Sequence, residues 1–121
     1  MSRMDQESTL GGVRVANEVI ASIAALASRE IDGVVDMDQA NARHFGDFIK
    51  RQTAHDGVRV TMDTDRALHL EVFLSVSSAA MVPKVAEAVQ DNVIEAVERM
   101  LGLEVAAVDV FVSHVAFPVT A

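Results

Sequence analysis

The stretch Leu68-His-Leu-Glu-Val-Phe-Leu-Ser-Val76 decides the fold of this chain. Every second residue from Leu68 to Val76 is aliphatic, and the residues between them are polar except for Phe73. Because successive side chains of a strand point to opposite faces, this alternation predicts a strand with one face in the core and a more polar second face.

A helix is predicted after this strand. Valine recurs at every fourth position from Val85 to Val97, so one side of the helix is apolar. Pro83 is tolerated in a first turn, and Gly102 suits the left-handed position that ends many helices. We therefore expect a helix over residues 83–101.

A last strand is predicted over residues 104–117, where Val108, Val110 and Val112 alternate with other residues. The helix before it makes the connection long enough for a parallel crossover. The last strand is therefore expected to pair in parallel with the strand at 68–76.

Turn signals such as Asp56-Gly57 separate shorter elements upstream. The predicted elements are, in chain order, a strand at 13–15, a helix at 18–31, and strands at 34–35, 58–62 and 68–76, then the helix at 83–101 and the strand at 104–117. This β-α-β-β-β-α-β order predicts an α+β fold, a two-layer sandwich with two helices packed on one mostly antiparallel sheet. We assign it to one domain, residues 10–118, after a polar tail at 1–9.

The apolar stripes of these elements are expected to meet in one core. Its predicted members are Val19, Ile23, Val58, Val60, Leu70, Val72, Leu74, Val89, Val93, Val97, Val110 and Val112.

The composition excludes several classes of protein. The chain has 121 residues, the size of one domain, and no Cys, which excludes disulfides, thiolate zinc sites and cysteine nucleophiles. Trp and Tyr are also absent, and the formal net charge is −8. Nucleic-acid binding is therefore not expected, since it depends on basic surfaces and on aromatic rings that stack on bases.

No segment is expected to cross a membrane. The densest apolar stretch, residues 19–27, is far shorter than the roughly 20 apolar residues that a membrane-spanning helix needs. The N-terminus has no apolar run of the kind that secretory signals carry. We therefore expect a cytoplasmic protein whose membrane association, if it has one, depends on a partner or on a surface helix.

No catalytic, cofactor or metal motif is present in the sequence. HxH, HExxH and GxSxG spacings and Gly-rich phosphate loops are all missing. Asp63 and Asp65 flank a turn, a place that Asp favours for backbone reasons alone. The expectation is a protein that is not an enzyme and that holds no cofactor or metal.

Two charged elements are the candidate partner-binding residues. The acidic stripe of Glu87, Asp91 and Glu95 repeats every four residues along the second predicted helix, a spacing at which like charges repel each other. Two interpretations are open: a surface that docks a basic partner, or a solvated helix face in an acidic protein.

The basic segment, residues 41–51, has the opposite character. It combines positive charge with aromatic rings through Arg43, Phe45, Phe48, Lys50 and Arg51. Two interpretations are again open: an element that docks a partner or a membrane surface, or a flap whose Phe side chains cover one edge of the sheet.

An ordered set of short motifs resembles the alkaline-shock-protein (Gls-type) family of bacterial envelope-stress proteins. The matching pieces are Gly12-Val-Arg-Val15, Val19-Ile20, Ile23-Ala24, Glu30-Ile-Asp-Gly-Val34, Asp56-Gly-Val-Arg-Val60, Val82-Pro83, Leu101-Gly-Leu103 and Val108-Asp-Val-Phe-Val112. Members of that family commonly carry a Tyr-Gly-like element before the second helix, and this chain has Ser77-Ser-Ala-Ala80 there.

The resemblance implies a non-enzymatic cytoplasmic protein of cell-envelope homeostasis that self-associates and has a membrane-anchored protein partner. It leaves a second function open, a small regulatory binding domain that modulates an enzyme of lipid-precursor metabolism. Two modes of self-association are consistent with the residues: pairing along the edge of the last strand, or contact between the acidic stripe of one copy and the basic segment of the next.

Overall fold

The computed structural model describes residues 17–40, 42 and 54–117. Helix α1 is described from residue 17 and ends at residue 29, slightly before the predicted end at 31. The later elements are β1 (Val34–Met37), β2 (Ala54–His55), β3 (Val58–Met62), β4 (Leu68–Ser77), α2 (Val82–Leu101) and β5 (Val105–Ala116). The predicted α+β class is confirmed. The predicted strand at 13–15 and the polar tail at 1–9 lie outside the described residues.

Strand β4 is the centre of the sheet. It pairs in parallel with β5 along its whole length, from Leu68 opposite Val105 to Ser77 opposite Ala116. Its other edge pairs antiparallel with β3 and then with β1, and β2 pairs antiparallel with β3. The mostly antiparallel sheet and the parallel crossover are therefore both as predicted. Among the described strands, β5 pairs with β4 alone.

The helices α1 and α2 cover the same face of this sheet. The buried side of α2 consists of Val85, Val89, Val93 and Val97. The buried side of α1 is mostly alanine and consists of Ile20, Ala21, Ala24, Ala25 and Ala27. These side chains form one core with the aliphatic residues of β3 and β4. Because alanine side chains are small, α1 can pack close to the sheet without leaving a gap.

The predicted core is wrong at one position of α1. Val19 is 41% exposed, whereas its neighbour Ile20 is fully buried. Consecutive helical residues are rotated by about 100°, so an apolar pair does not itself reveal which member faces the sheet. Ile23, Val110 and Val112 pack against the core but are only partly buried.

The opposite face of the sheet has a smaller cluster of its own. Phe73 of β4 is buried against Ala42 and Ala54, and its ring stacks on that of Phe111 at a centroid distance of 4.8 Å. Beside it, the buried Arg59 guanidinium lies 3.2 Å from a carboxylate oxygen of Glu71. Phe73 thus belongs to the buried set, although it occupies the strand face that the sequence marks as more polar.

The turn between β3 and β4 is organised by Asp63. Its Oδ1 accepts hydrogen bonds from the backbone N–H groups of Ala67 and Asp65 at 3.0 and 2.9 Å, and its Oδ2 lies 3.1 Å from His69 Nε2. The hydrogen bond from Ala67 and then that from His69 stabilise the carboxylate most, so the pKa of Asp63 is lower than the usual value for aspartate.

We expect Asp63→Asn to make the stability difference from wild type depend on pH. Since folding lowers the pKa of Asp63, its charge stabilises the protein above the pKa of an unfolded aspartate, about 3.9. That stabilisation is lost as the pH falls through the lower pKa of the folded state. Urea denaturation should therefore show that the Asp63→Asn variant is less stable than wild type at pH 7, with a smaller difference near pH 3. A difference that is equal at both pH values would contradict this role.

Candidate interaction surfaces

The acidic stripe lies on the outer side of α2. Glu87, Asp91 and Glu95 are all exposed, on the side of the helix opposite its four buried valines. Arg99 lies 3.3 Å from Glu95, and both side chains are about two-thirds exposed. An ion pair this exposed contributes little to stability.

Of the basic segment the structure describes Ala42, and Arg43, Phe45, Phe48, Lys50 and Arg51 lie outside the described residues. We call Ala42 and Ala54, the described residues next to that stretch, its flanks. Ala42 and Ala54, on either side of that stretch, are both buried against Phe73. Phe73 points away from α1 and α2, so Ala42 and Ala54 lie on the opposite face of the sheet from these two helices, where residues 39, 40 and 42 are themselves helical. The two earlier interpretations of the segment both stay predictions.

The flanks of the basic segment and the acidic stripe therefore lie on opposite sides of the molecule. The stripe is on the outer surface of the helix layer, and Ala42 and Ala54 are on the far face of the sheet. The sheet and the helix layer separate Ala42 and Ala54 from the acidic stripe, so these residues do not touch the stripe within one copy of the chain.

A third surface, on α1, was missed by the sequence analysis. Val19 and Leu26 are 41% and 60% exposed, and Ser22 between them is exposed as well. A groove of about 170 Å³ runs beside them between the helices and is lined by Ile23, Leu26, Ala27, Asn92, Ala96 and Met100 among others. The sequence signal was the apolar run over residues 19–27, interrupted only by Ser22, which is too broad for a helix with one buried side.

The described part of the chain has neither a metal-binding cluster nor a bilayer-spanning helix. No group of three or more His, Asp or Glu residues there is placed to hold a metal ion. No helix there is long and apolar enough to pass through a bilayer.

A family model for the alkaline shock protein 23 family, of cell envelope-related function, matches residues 5–117. This chain belongs to that family. The match covers both helices, all five described strands and the basic segment. The resemblance seen in the sequence motifs is thereby confirmed, and the coarse function of this alkaline shock protein 23 family member is related to the cell envelope.

Curated relatives of this family member come from two bacteria. The uncharacterized protein YqhY of Bacillus subtilis is 31% identical over 95% of this chain and 85% of its own length. The uncharacterized protein YloU of the same organism is 29% identical over 87% of this chain and 88% of its own length. The uncharacterized protein Spy1614 of Streptococcus pyogenes is 27% identical over the same shares. No solved structure matches the chain.

One feature of this family member departs from the motif expected by resemblance. Where a Tyr-Gly-like element was expected, Ser77–Ala80 instead borders a cleft of about 450 Å³. The cleft is mostly apolar and is lined by Asp32, Gly33, Ala80, Met81, Lys84 and Val85 among others. The first turn of α2 forms one wall, and its N-cap residue Met81 makes no side-chain capping hydrogen bond.

Proposed function

We propose that this alkaline shock protein 23 family member is a non-enzymatic cytoplasmic scaffold for cell-envelope homeostasis. It acts by binding further copies of itself and a membrane-anchored protein partner. The observation that carries the proposal is the position of the acidic stripe on one side of the molecule and of the flanks of the basic segment on the other.

An acidic and a basic surface on the same chain favour assembly between copies. Ala42 and Ala54 lie on the side of the molecule away from the acidic stripe, so we take the complement of the stripe to be the basic segment of a second molecule. A contact between two different surfaces leaves one of each free at the two ends and therefore propagates into rings or filaments. A basic, membrane-anchored partner would bind the same stripe at an end of such an array.

A second candidate function is a regulatory domain that modulates an enzyme of lipid-precursor metabolism. The cleft beside Lys84 favours it, because about 450 Å³ of mostly apolar space is within the range of small-molecule sites. A regulatory domain predicts one stable stoichiometry with its partner, whereas a scaffold predicts assemblies that grow with protein concentration.

Salt dependence tests the scaffold directly. Contacts between exposed charges are screened beyond about 10 Å at 0.1 M salt, so assembly should weaken between about 0.05 and 0.5 M salt. Sedimentation velocity at several protein concentrations should show assemblies larger than a dimer of the 13.0 kDa chain that recede as salt increases. Pairing along the edge of β5 would instead persist at high salt.

A matched pair of variants assigns the contact to the acidic stripe. The variant Glu87→Gln/Asp91→Asn/Glu95→Gln should weaken assembly at low salt at least tenfold. The control Asp32→Asn/Asp65→Asn/Glu104→Gln removes the same charge from exposed positions outside the stripe and should assemble like wild type. A single 13.0 kDa species under all conditions would contradict the scaffold proposal and favour the regulatory domain.

A further inference from the structure

We propose that the exposed side of α1 is a two-fold symmetric interface with a second copy of this chain. The interface ridge consists of Val19, Ser22 and Leu26. The inference rests on the self-association in the proposed function and adds a contact that does not involve the acidic stripe or the basic segment.

The apolar residues of this ridge share one line on the helix. Single exposed aliphatic side chains are ordinary on protein surfaces, but Val19 and Leu26 lie two turns apart on the same side of α1. Met100 of α2, 63% exposed, and the groove of about 170 Å³ between the helices extend the apolar surface sideways. Side chains of a second helix therefore find both a ridge and a groove to pack against.

Ser22 marks where two copies of α1 can cross. It is exposed and small, and it lies midway between the larger side chains of Val19 and Leu26. If two α1 helices run antiparallel and cross at Ser22, Val19 of each copy lies against Leu26 of the other. One ridge thus supplies both halves of the contact, as a two-fold interface requires.

The charges at the ends of α1 select the antiparallel orientation. Glu18 and Arg29 are both exposed, one at each end of the described helix. Antiparallel helices bring Glu18 of each copy near Arg29 of the other, whereas parallel helices bring like charges together. Glu18 also lies 4.0 Å from His55 of its own chain, but its side chain remains 55% exposed and accessible to the second copy.

This charge arrangement is the reason to assign a second copy to the ridge. The ends of α1 are complementary to each other and therefore to the same helix in reverse. The contact is small, because one pair of crossing helices buries less than the 1,200 Å² or so that is typical of stable complexes, so we expect a weak dimer. Each copy carries a net charge of −8, and salt that screens this repulsion should strengthen the dimer.

Disulfide trapping tests the crossing point, since the native chain has no Cys. In the variant Ser22→Cys, a two-fold axis at this position places the two thiols close together, and copper-catalysed oxidation should yield covalent dimers on non-reducing gels. The control Thr64→Cys puts a thiol at another exposed position, on the β3–β4 turn. We expect Ser22→Cys to cross-link at least tenfold faster than the control, and faster still at 0.5 M than at 0.05 M salt.

Two further changes separate this interface from the head-to-tail contact. Adding Leu26→Asp to Ser22→Cys should slow cross-linking at least tenfold, and circular dichroism should show a folded protein because Leu26 is outside the core. Adding Glu87→Gln/Asp91→Asn/Glu95→Gln should leave the cross-linking rate unchanged. Equal rates for Ser22→Cys and Thr64→Cys would overturn the α1 interface, while salt-sensitive oligomers of the wild-type chain would still support the scaffold.

Discussion

Val72→Asp is expected to unfold the protein, with a loss of more than about 4 kcal/mol in the free energy of unfolding. Val72 is fully buried at the centre of β4 and faces the helices. Its paired neighbours, Val58 on β3 and Val110 on β5, are both aliphatic. A carboxylate there would have no partner, and the stability of a domain of this size does not exceed such a cost by much. Thermal melting followed by circular dichroism measures the loss.

The same substitution on the surface provides the control. Val35 of β1 is 55% exposed, so Val35→Asp adds the same charge to a strand without burying it. Its free energy of unfolding should remain within about 0.5 kcal/mol of wild type, as is usual for surface substitutions. A Val72→Asp variant that melts like wild type would show that this face of β4 is not in the core.

The strands β3, β4 and β5 and the helix α2 were predictable because their signals are local and unambiguous, whereas the two-residue strand β2 was not predicted. Aliphatic residues at every second position place β4, and valine at every fourth position places the buried side of α2. Each pattern fits one arrangement, since any other strand register or helix rotation would expose a whole row of aliphatic side chains. The parallel pairing of β4 and β5 followed from the long helix between them.

The buried side of α1 was not predictable in the same way. Residues 19–27 are apolar almost throughout, so several helix faces have similar hydrophobicity. In the structure the alanine-rich face is buried, and Val19 and Leu26 are exposed. Close packing on the sheet favours the small side chains, but hydropathy alone does not show this preference. This is also why the ridge on α1 was missed as a candidate surface.

The second buried cluster depended on contacts distant in sequence. Phe73 alternates with polar residues, and among the described residues Ala42, Ala54 and the stacked ring of Phe111 make its side of the strand apolar. The acidic stripe, by contrast, was predictable as an exposed surface, because its spacing places it opposite the valines of α2. Its role depends on a second molecule and follows from no pattern within one chain.

Gly57→Ala is expected to cost about 3 kcal/mol or more, because two separate penalties coincide at this position. Asp56 and Gly57 have φ values of 54° and 83° and connect β2 to β3 in a two-residue turn, a conformation that suits Asp-Gly. A Cβ at Gly57 would lie 3.0 Å from the carbonyl oxygen of Phe73 and 3.1 Å from the backbone nitrogen of Asp38.

Those two backbone atoms form a hydrogen bond of 2.8 Å with each other, and the Phe73 N–H also donates to the Gly57 carbonyl at 2.8 Å. A methyl group at Gly57 would therefore displace the point where the β2–β3 turn, β4 and the end of β1 meet. Gly102→Ala isolates the backbone penalty, because Gly102 has a φ of 65° but nothing lies within 4 Å of the place that a methyl group would take there. It should cost only about 1 kcal/mol in urea denaturation. Equal losses for the two variants would mean that crowding at Gly57 contributes nothing, and that the contact between the turn and β4 is loose enough to accept a methyl group.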